Sequence, residues 1–195
     1  MSNDNSNIIK DFFNEKAFTW DETTKHNFLL IEQLIDKIDF NEADKILDVG
    51  CGTGILEPFL LNKSIDKITA IDISENMIQI AKSKIKNVNF ICTDFYTFNC
   101  NDKFDKIIFF DSYPHFIDKK RLLDMILLHT KIDSEVIIIH DIGKESLKQV
   151  HSKHVNISKE LQNIQEEFSI FKSNFTLIKN EDETDHYLMI IKRNI

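Results

Sequence analysis

Three of the chain's four glycines stand within five residues, at Gly50, Gly52 and Gly54 in the stretch KILDVGCGTG. They follow an apolar run typical of a buried strand and precede a stretch with helical spacing. A glycine turn between a strand and a helix is typical of a ligand site. The missing Cβ atoms let a ligand approach the backbone, and the start of the helix offers unpaired N–H groups. We therefore expect a small molecule to bind over this turn.

The spacing of the turn, G-x-G-x-G, narrows the choice of ligand. It differs from the G-x-G-x-x-G of dinucleotide sites, which argues against NAD. The turn also lacks the lysine and the Ser/Thr of a phosphate-cradling loop, which argues against a nucleoside triphosphate. A purely structural role for the glycines is the remaining alternative.

Three acidic residues come at or near the ends of the predicted strands. Asp48 precedes the turn, and Asp72 closes the second strand, 22 residues after Gly50. A carboxylate in that place can accept both hydroxyls of a ribose. Asp94 and Phe95 follow the third strand, where an acid and an aromatic ring suit the amine and the face of an adenine. Helix capping is the alternative role for these acids. The predicted ligand has a ribose, an adenine, a cationic end and no phosphate, which describes S-adenosylmethionine (SAM).

Polar side chains after the fourth and fifth predicted strands, in DSYPHF and HDIGKE, could act on a methyl acceptor. The candidate catalytic residues are Asp111, Tyr113, His115 and His140. A neutral histidine can remove a proton from an attacking O, N or S atom, and a carboxylate can do so or can stabilise a cationic substrate. In-line alignment can also carry much of the catalysis. We predict no metal here; the competing hypothesis joins His115, His140 and His151 in a metal site, because imidazole binds Zn, Fe, Ni and Cu.

From Lys45 onward, short apolar runs alternate with stretches of helical spacing. The predicted strands cover 45–50, 67–72, 88–92, 105–110 and 135–140, and the predicted helices cover 54–63, 74–86, 118–130 and 144–172, the last one broken near residue 155. This alternation predicts an α/β fold with a parallel sheet covered on both faces. Residues 175–181 and 185–193 predict a closing antiparallel hairpin. Helical spacing recurs at 7–14 and 25–38, and we interpret residues 1–40 as a helical lid ahead of a main domain over 41–195.

The stretches ILDVGCGTG, AIDIS, CTDF and FDKIIFFDSYPHF resemble, in order and spacing, the motifs of class I SAM-dependent methyltransferases over about residues 40–142. The chain is also similar to a small bacterial subgroup of unassigned substrate. The resemblance implies a Rossmann-like seven-stranded sheet of order 3-2-1-4-5-7-6, with the last strand antiparallel and helices on both faces. The cofactor contacts it implies are Asp48, Gly50, Cys51, Gly52, Gly54, Asp72, Ile73, Met77, Asp94, Phe95 and Asp111.

Composition bounds the partners and the compartment. The formal net charge of −8 argues mildly against a long nucleic-acid surface. No segment reaches the roughly 18 apolar residues of a membrane span. The three cysteines form no CxxC pair, which indicates a reducing cytosol. We predict a cytoplasmic monomer or homodimer that methylates a small molecule, without nucleic-acid or membrane partners. The alternatives are a non-catalytic module that binds SAM or S-adenosylhomocysteine (SAH), and a metal- or corrinoid-linked methyltransferase using the histidines.

Overall fold

A computed structural model describes residues 2–151 and 156–194. The helices are α1 (Ser2–Lys16), α2 (Trp20–Thr23), α3 (Phe28–Ile35), α4 (Glu57–Asn62), α5 (Glu75–Lys84), α6 (Lys119–His129), α7 (Lys144–His151) and α8 (Ile164–Phe171), and short 3-10 turns cover Ala17–Thr19, Phe95–Thr97 and Tyr113–His115. The strands are β1 (Lys45–Val49), β2 (Lys67–Asp72), β3 (Asn89–Cys92), β4 (Phe104–Phe110), β5 (Thr130–His140), β6 (Phe175–Asp182) and β7 (Tyr187–Arg193).

The strands form one seven-stranded sheet in the order β3-β2-β1-β4-β5-β7-β6, so the predicted topology is confirmed. Strands β1 to β5 run parallel to one another, and β7 pairs antiparallel with both β5 and β6. The order reverses between β1 and β4. In open α/β sheets, ligands bind beyond the carboxyl ends of the strands at such a reversal.

Apolar residues alternate between two buried faces of the sheet. In β4, Ile107 and Phe109 join one core cluster, whereas Ile108 and Phe110 join the other. Helices α6 and α8 cover the first face, and α3 and α4 cover the second. Because both faces are buried, the strands read as continuous apolar runs rather than as alternating ones.

Several elements differ in their bounds from the sequence prediction, and two of the differences have a local cause. Strand β5 begins at Thr130 instead of residue 135, because its first residues pair with Phe104 before a register shift. The predicted helix over 144–172 is two separate helices, and α8 begins only after Asn163, whose side chain accepts a hydrogen bond from the Glu166 amide at 3.1 Å. The predicted break near residue 155 lies outside the described residues.

The N-terminal residues have two different placements. Helix α1 and the segment that follows it lie across the carboxyl ends of the strands, and Asn14 Oδ1 accepts hydrogen bonds from Ser74 Oγ and the Asn76 amide. In contrast, Ile31 and Leu34 of α3 are fully buried in the core against the sheet. The part that covers the strand ends therefore stops before α3, whereas the predicted lid extended to residue 40. No helix in the described part of the chain is long and apolar enough to cross a bilayer.

Candidate functional site

A cavity of about 710 Å³ lies at the carboxyl ends of the strands, beneath the N-terminal helices. Most of the residues that the sequence assigned to a cofactor or to catalysis line it. These are Gly50, Cys51, Gly52, Asp72, Ile73, Met77, Asp94, Phe95, Asp111 and His115. The predicted residues that lie elsewhere are Asp48, Gly54, Tyr113 and His140, and the side chain of His151 lies outside the described part of the chain.

The three turn glycines have positive φ angles, which L side chains rarely adopt, but they face different surroundings. A Cβ atom on Gly50 would lie 2.6 Å from Ser112 Cβ, so this glycine permits close packing. A Cβ atom on Gly54 would lie 2.6 Å from Ile85 Cδ1, in the packing against α5. A Cβ atom on Gly52 would have nothing within 4 Å. Gly52 is therefore the glycine that leaves room for a ligand, whereas Gly54, another predicted cofactor contact, packs closely against Ile85 and does not line the cavity.

Asp72 lies at the end of β2, beside the glycine turn. Its carboxylate accepts hydrogen bonds from the Gly52 amide at 2.9 Å and from the Ser74 amide at 2.7 Å. Burial raises the pKa of Asp72 to about 6, so the group is ionised at pH 8. Ser74 caps α5, because its hydroxyl accepts from the Met77 amide at 3.2 Å. The carboxylate that the sequence assigned to the ribose is thus held in a fixed position on the cavity wall.

Asp94 and Phe95 also line the cavity, but both have structural partners. One carboxylate oxygen of Asp94 caps the following 3-10 turn through the Tyr96 amide at 2.9 Å. The other accepts from Ser6 Oγ of α1 at 2.7 Å. Phe95 is almost fully buried and packs edge-on against Phe109. Asp94 therefore fastens the N-terminal helix to the sheet, in addition to any contact with an adenine.

Asp48 is buried beneath the glycine turn and does not reach the cavity. Its carboxyl group faces that of Glu57, in the first turn of α4. Burial raises the pKa of Glu57 to about 7, and burial together with Glu57 raises the pKa of Asp48 well above its usual range. Two buried carboxyl groups in contact retain a proton between them. Asp48 therefore does not line the cavity, and its contact with the methionine part stays a prediction.

Asp111 follows β4 with a φ of +50°, a left-handed conformation that is uncommon outside glycine. Its amide donates to the Ile139 carbonyl at 2.9 Å, and its carboxylate lies at the cavity floor. His140 is fully buried behind it, with Nδ1 3.1 Å from Asp111 Oδ1. Burial lowers the pKa of His140 to about 3, so the ring is neutral. His140 can position Asp111 but does not face the cavity, contrary to its predicted catalytic contact.

Two side chains that the sequence did not single out as site residues, His26 and Asp141, lie beside Asp111. His26 Nδ1 is 3.0 Å from Asp141 Oδ2 and 3.7 Å from Asp111 Oδ2. Burial lowers the pKa of His26, but the hydrogen bond to Asp141 and the nearby carboxylates outweigh it and raise the pKa overall. The position of Asp141 directly after His140, at the end of a predicted strand, could have marked it as a site residue. No such signal marked His26, because it stands in a polar connection between two helical stretches.

Tyr113 and His115 share a 3-10 turn but point to different places. Tyr113 is fully buried, and its hydroxyl donates to Glu167 Oε2 at 2.7 Å, away from the cavity. His115 lines the cavity, donates from Nδ1 to the Ile157 carbonyl at 2.8 Å and packs edge-on against Phe13. Of these two predicted catalytic residues, only His115 is placed to meet a ligand.

The competing hypothesis of a histidine metal site can be compared with the structure only for His115 and His140, because the His151 side chain lies outside the described part of the chain. Among the side chains described, the group of at least three possible ligands consists of His26, Asp111 and Asp141. Neither His115 nor His140 belongs to it.

Tyr113→Phe is expected to destabilise the fold by about 1–3 kcal/mol, because it leaves the buried Glu167 carboxylate without its hydroxyl donor. SAM affinity should not change. Tyr187→Phe is the matched control, since the buried Tyr187 hydroxyl has no hydrogen-bond partner among the described residues. This variant should lose little stability. Urea unfolding and calorimetric titration measure the two effects. Loss of SAM binding in Tyr113→Phe with an unchanged free energy of unfolding would mean that Tyr113 takes part in the binding site.

Comparisons with known proteins agree with this geometry. Residues 46–133 match the family model described as a methyltransferase domain. The chain is 30% identical over 173 residues to the malonyl-[acyl-carrier protein] O-methyltransferase of Bacillus anthracis, covering 85% of this chain and 64% of the relative. The chain therefore spans less than two thirds of that relative's length.

Two solved structures show the same fold. A chain from the complex of the Haloferax volcanii Trm112 methyltransferase activator with a methyltransferase superposes with a TM-score of 0.81 at 13% identity, covering 96% of this chain and 98% of that one. Magnesium protoporphyrin IX methyltransferase from Synechocystis PCC 6803, with bound SAH, superposes with a TM-score of 0.71 at 17% identity. The superposition covers 97% of this chain and 100% of that one.

The fold and the site define a Rossmann-like ligand-binding α/β protein. Residues 46–133 match a methyltransferase domain, and the fold is that of SAM-dependent methyltransferases, so SAM is the cofactor that fits this site.

Proposed function

We propose that this chain transfers the methyl group of SAM to a small molecule held in the cavity beneath the N-terminal helices. One observation carries the proposal. The same cavity is lined by one group of residues, the glycine turn and Asp72 after β1 and β2, and by a second group, Asp111, His26 and His115. A cofactor lying along the first group would present its methyl group to the second.

The size and cover of the cavity support a small acceptor. Its volume of about 710 Å³ lies within the roughly 300–1,000 Å³ of sites for small ligands. Phe12, Phe13 and Trp20 line it from the N-terminal side. Apolar cover of this kind excludes water from the reacting groups, which strengthens the electrostatic interactions inside. The relative in Bacillus anthracis acts, by its name, on a malonyl group carried by a protein, and we do not extend that acceptor to this chain.

The division of roles follows from the contacts. Asp72 would accept the ribose hydroxyls, Gly52 would let the methionine part approach the backbone, and Met77 would pack on the adenine. Asp111 and His115 are the predicted catalytic residues that line the cavity, and either could accept a proton from the attacking atom. His140 would act through Asp111 as a positioning residue.

Asp72→Ala is expected to weaken SAM binding by about 1.5–3 kcal/mol, because it removes charge-assisted hydrogen bonds to the ribose. Calorimetric titration with SAM and with SAH at pH 8, where Asp72 is ionised, measures the loss. Asp66→Ala is the matched control, since Asp66 is an exposed aspartate just before the opposite end of β2. Equal SAM affinity in Asp72→Ala and the wild-type chain would contradict the ribose assignment.

The rival candidate is a module that binds SAM or SAH without transferring a methyl group. Incubation with methyl-labelled SAM and the small-molecule fraction of a bacterial extract separates the two. We expect label to move into a compound of low mass, with SAH released in equal amount. SAM binding without label transfer would favour the module, and label in protein or RNA from whole extract would overturn the small acceptor.

A further inference from the structure

We propose that His26, Asp111 and Asp141 form a binding site for a divalent transition-metal ion at the methyl-transfer end of the cavity. One ligand atom from each residue lies within 4.8 Å of the other two. The distances from His26 Nδ1 are 3.0 Å to Asp141 Oδ2 and 3.7 Å to Asp111 Oδ2. Neighbouring ligands of an octahedral ion, each about 2.1 Å from the metal, lie roughly 3 Å apart, so small side-chain movements would complete the site.

The fold supplies each ligand from a fixed backbone position. Asp111 and Asp141 directly follow β4 and β5, which are adjacent parallel strands, so both residues emerge at the same edge of the sheet. His26 comes from the connection between α2 and α3. The next amide, Asn27 N, donates to Asp141 Oδ2 at 3.2 Å, and the Asn27 side chain caps α3 by accepting from the Leu30 amide. These contacts hold the histidine against the carboxylates.

A second observation points to a group that this cluster lacks. His140 is fully buried, and neither of its ring nitrogens makes a hydrogen bond among the described residues. Its Nδ1 lies 3.1 Å from Asp111 Oδ1, whereas the other oxygen, Oδ2, faces His26. Carboxylates that bind metals are commonly hydrogen-bonded by an outer partner on the far side, and His140 lies where such a partner of Asp111 would stand. Asp111 also contacts Asp141, so both carboxyl groups lie together with the His26 ring.

The donor set indicates the kind of ion. One imidazole and two carboxylates suit Mn²⁺, Fe²⁺, Co²⁺ or Zn²⁺ better than Mg²⁺ or Ca²⁺, which prefer oxygen ligands alone. All three residues line the cavity, so further coordination positions would face a ligand there. An ion in this place could bind an oxygen atom of the methyl acceptor and orient it. That use rests on the proposed function, whereas the ion site itself does not.

The test is a titration of the tag-free, EDTA-treated chain with Mn²⁺. Electron paramagnetic resonance monitors binding as a loss of the signal of the free ion. Mn²⁺ is the probe because it binds thiolates weakly, which keeps the three cysteines out of the measurement. We expect one ion per chain. His26→Ala and Asp141→Asn should each weaken binding at least about 10-fold, the lower range for the loss of even an outer-shell partner.

His186→Ala is the matched control. His186 also lies between two acids, but its Nδ1 contacts Asp185 at 2.8 Å and its Nε2 contacts Glu181 at 3.0 Å, so the ring separates the carboxylates. This variant should keep full Mn²⁺ affinity. Asp141→Asn preserves side-chain shape, and circular dichroism checks that both site variants fold.

Two results would overturn the site. One is no saturable binding of Mn²⁺, Co²⁺ or Zn²⁺ at 1 mM (roughly the weak limit for functional metal sites). The other is Mn²⁺ affinity in folded Asp141→Asn and His26→Ala equal to that of His186→Ala. A parallel titration with SAM separates this proposal from the proposed function. SAM binding without metal binding would refute only the ion site, and metal binding without SAM binding would refute only the assigned cofactor pocket.

Discussion

Gly52→Val is expected to abolish measurable SAM binding, a loss of at least about 100-fold, while the chain remains folded. A Cβ atom at this position meets no atom within 4 Å, so the isopropyl group would extend into the cavity where the ligand must approach the backbone. The φ of +54° adds a strain of roughly 1–2 kcal/mol, which most folds tolerate. Calorimetric titration measures SAM affinity, and urea unfolding measures the remaining stability.

Gly54→Ala and Gly50→Ala are the controls for the same turn. Gly54 does not line the cavity, and its added Cβ would meet the end of the flexible Ile85 side chain, so this variant should lose some stability but keep SAM affinity. Gly50→Ala would press on Ser112 Cβ and should lose more stability. A folded Gly52→Val chain with the SAM affinity of Gly54→Ala would refute the close-approach argument.

The sheet was predictable because its strands are buried on both faces. Continuous apolar runs such as residues 136–139 in β5 cannot be solvent-exposed strands, and the stretches between them have helical spacing. The closing hairpin follows from equally local signals. The start of β5 was missed because its first residues, including Asp133 at a φ of +67°, form an irregular stretch that no periodicity marks.

The site was only partly predictable, because sequence shows that a residue follows a strand but not where its side chain points. Asp111 and His140 come from the ends of neighbouring strands, yet one faces the cavity and the other lies behind it. Tyr113 is two residues from Asp111, but its hydroxyl turns toward Glu167 of α8. These outcomes depend on which helices cover each face of the sheet.

Contacts between distant segments were the least predictable. His26 meets Asp141 across 115 positions of sequence. Its place depends on how α1 and α2 cross the strand ends, and amphipathic spacing alone does not give that path. Functional residues in short polar connections that pass over a sheet edge are therefore missed by analysis of sequence periodicity.

Glu57→Gln is expected to flatten the dependence of stability on pH. Burial raises the pKa of Glu57 to about 7 in the folded chain, whereas the unfolded chain keeps the ordinary glutamate value of 4.5. Between these values the folded chain binds more protons than the unfolded chain, so the free energy of unfolding falls as pH rises from about 4.5 to about 7. The loss for this group is on the order of 3 kcal/mol and is complete above the upper value.

Urea unfolding at several pH values between 5 and 8 measures this effect. Glutamine carries no titrating proton and can donate an N–H to Asp48, so the variant should be more stable than the wild-type chain at pH 8 and nearly equal at pH 5. Glu75→Gln is the matched control, because Glu75 holds the same first-turn position in α5 but is exposed. Parallel pH profiles for Glu57→Gln and the wild-type chain would mean that Glu57 is ionised in the fold. The proton between the two carboxyl groups would then reside on Asp48.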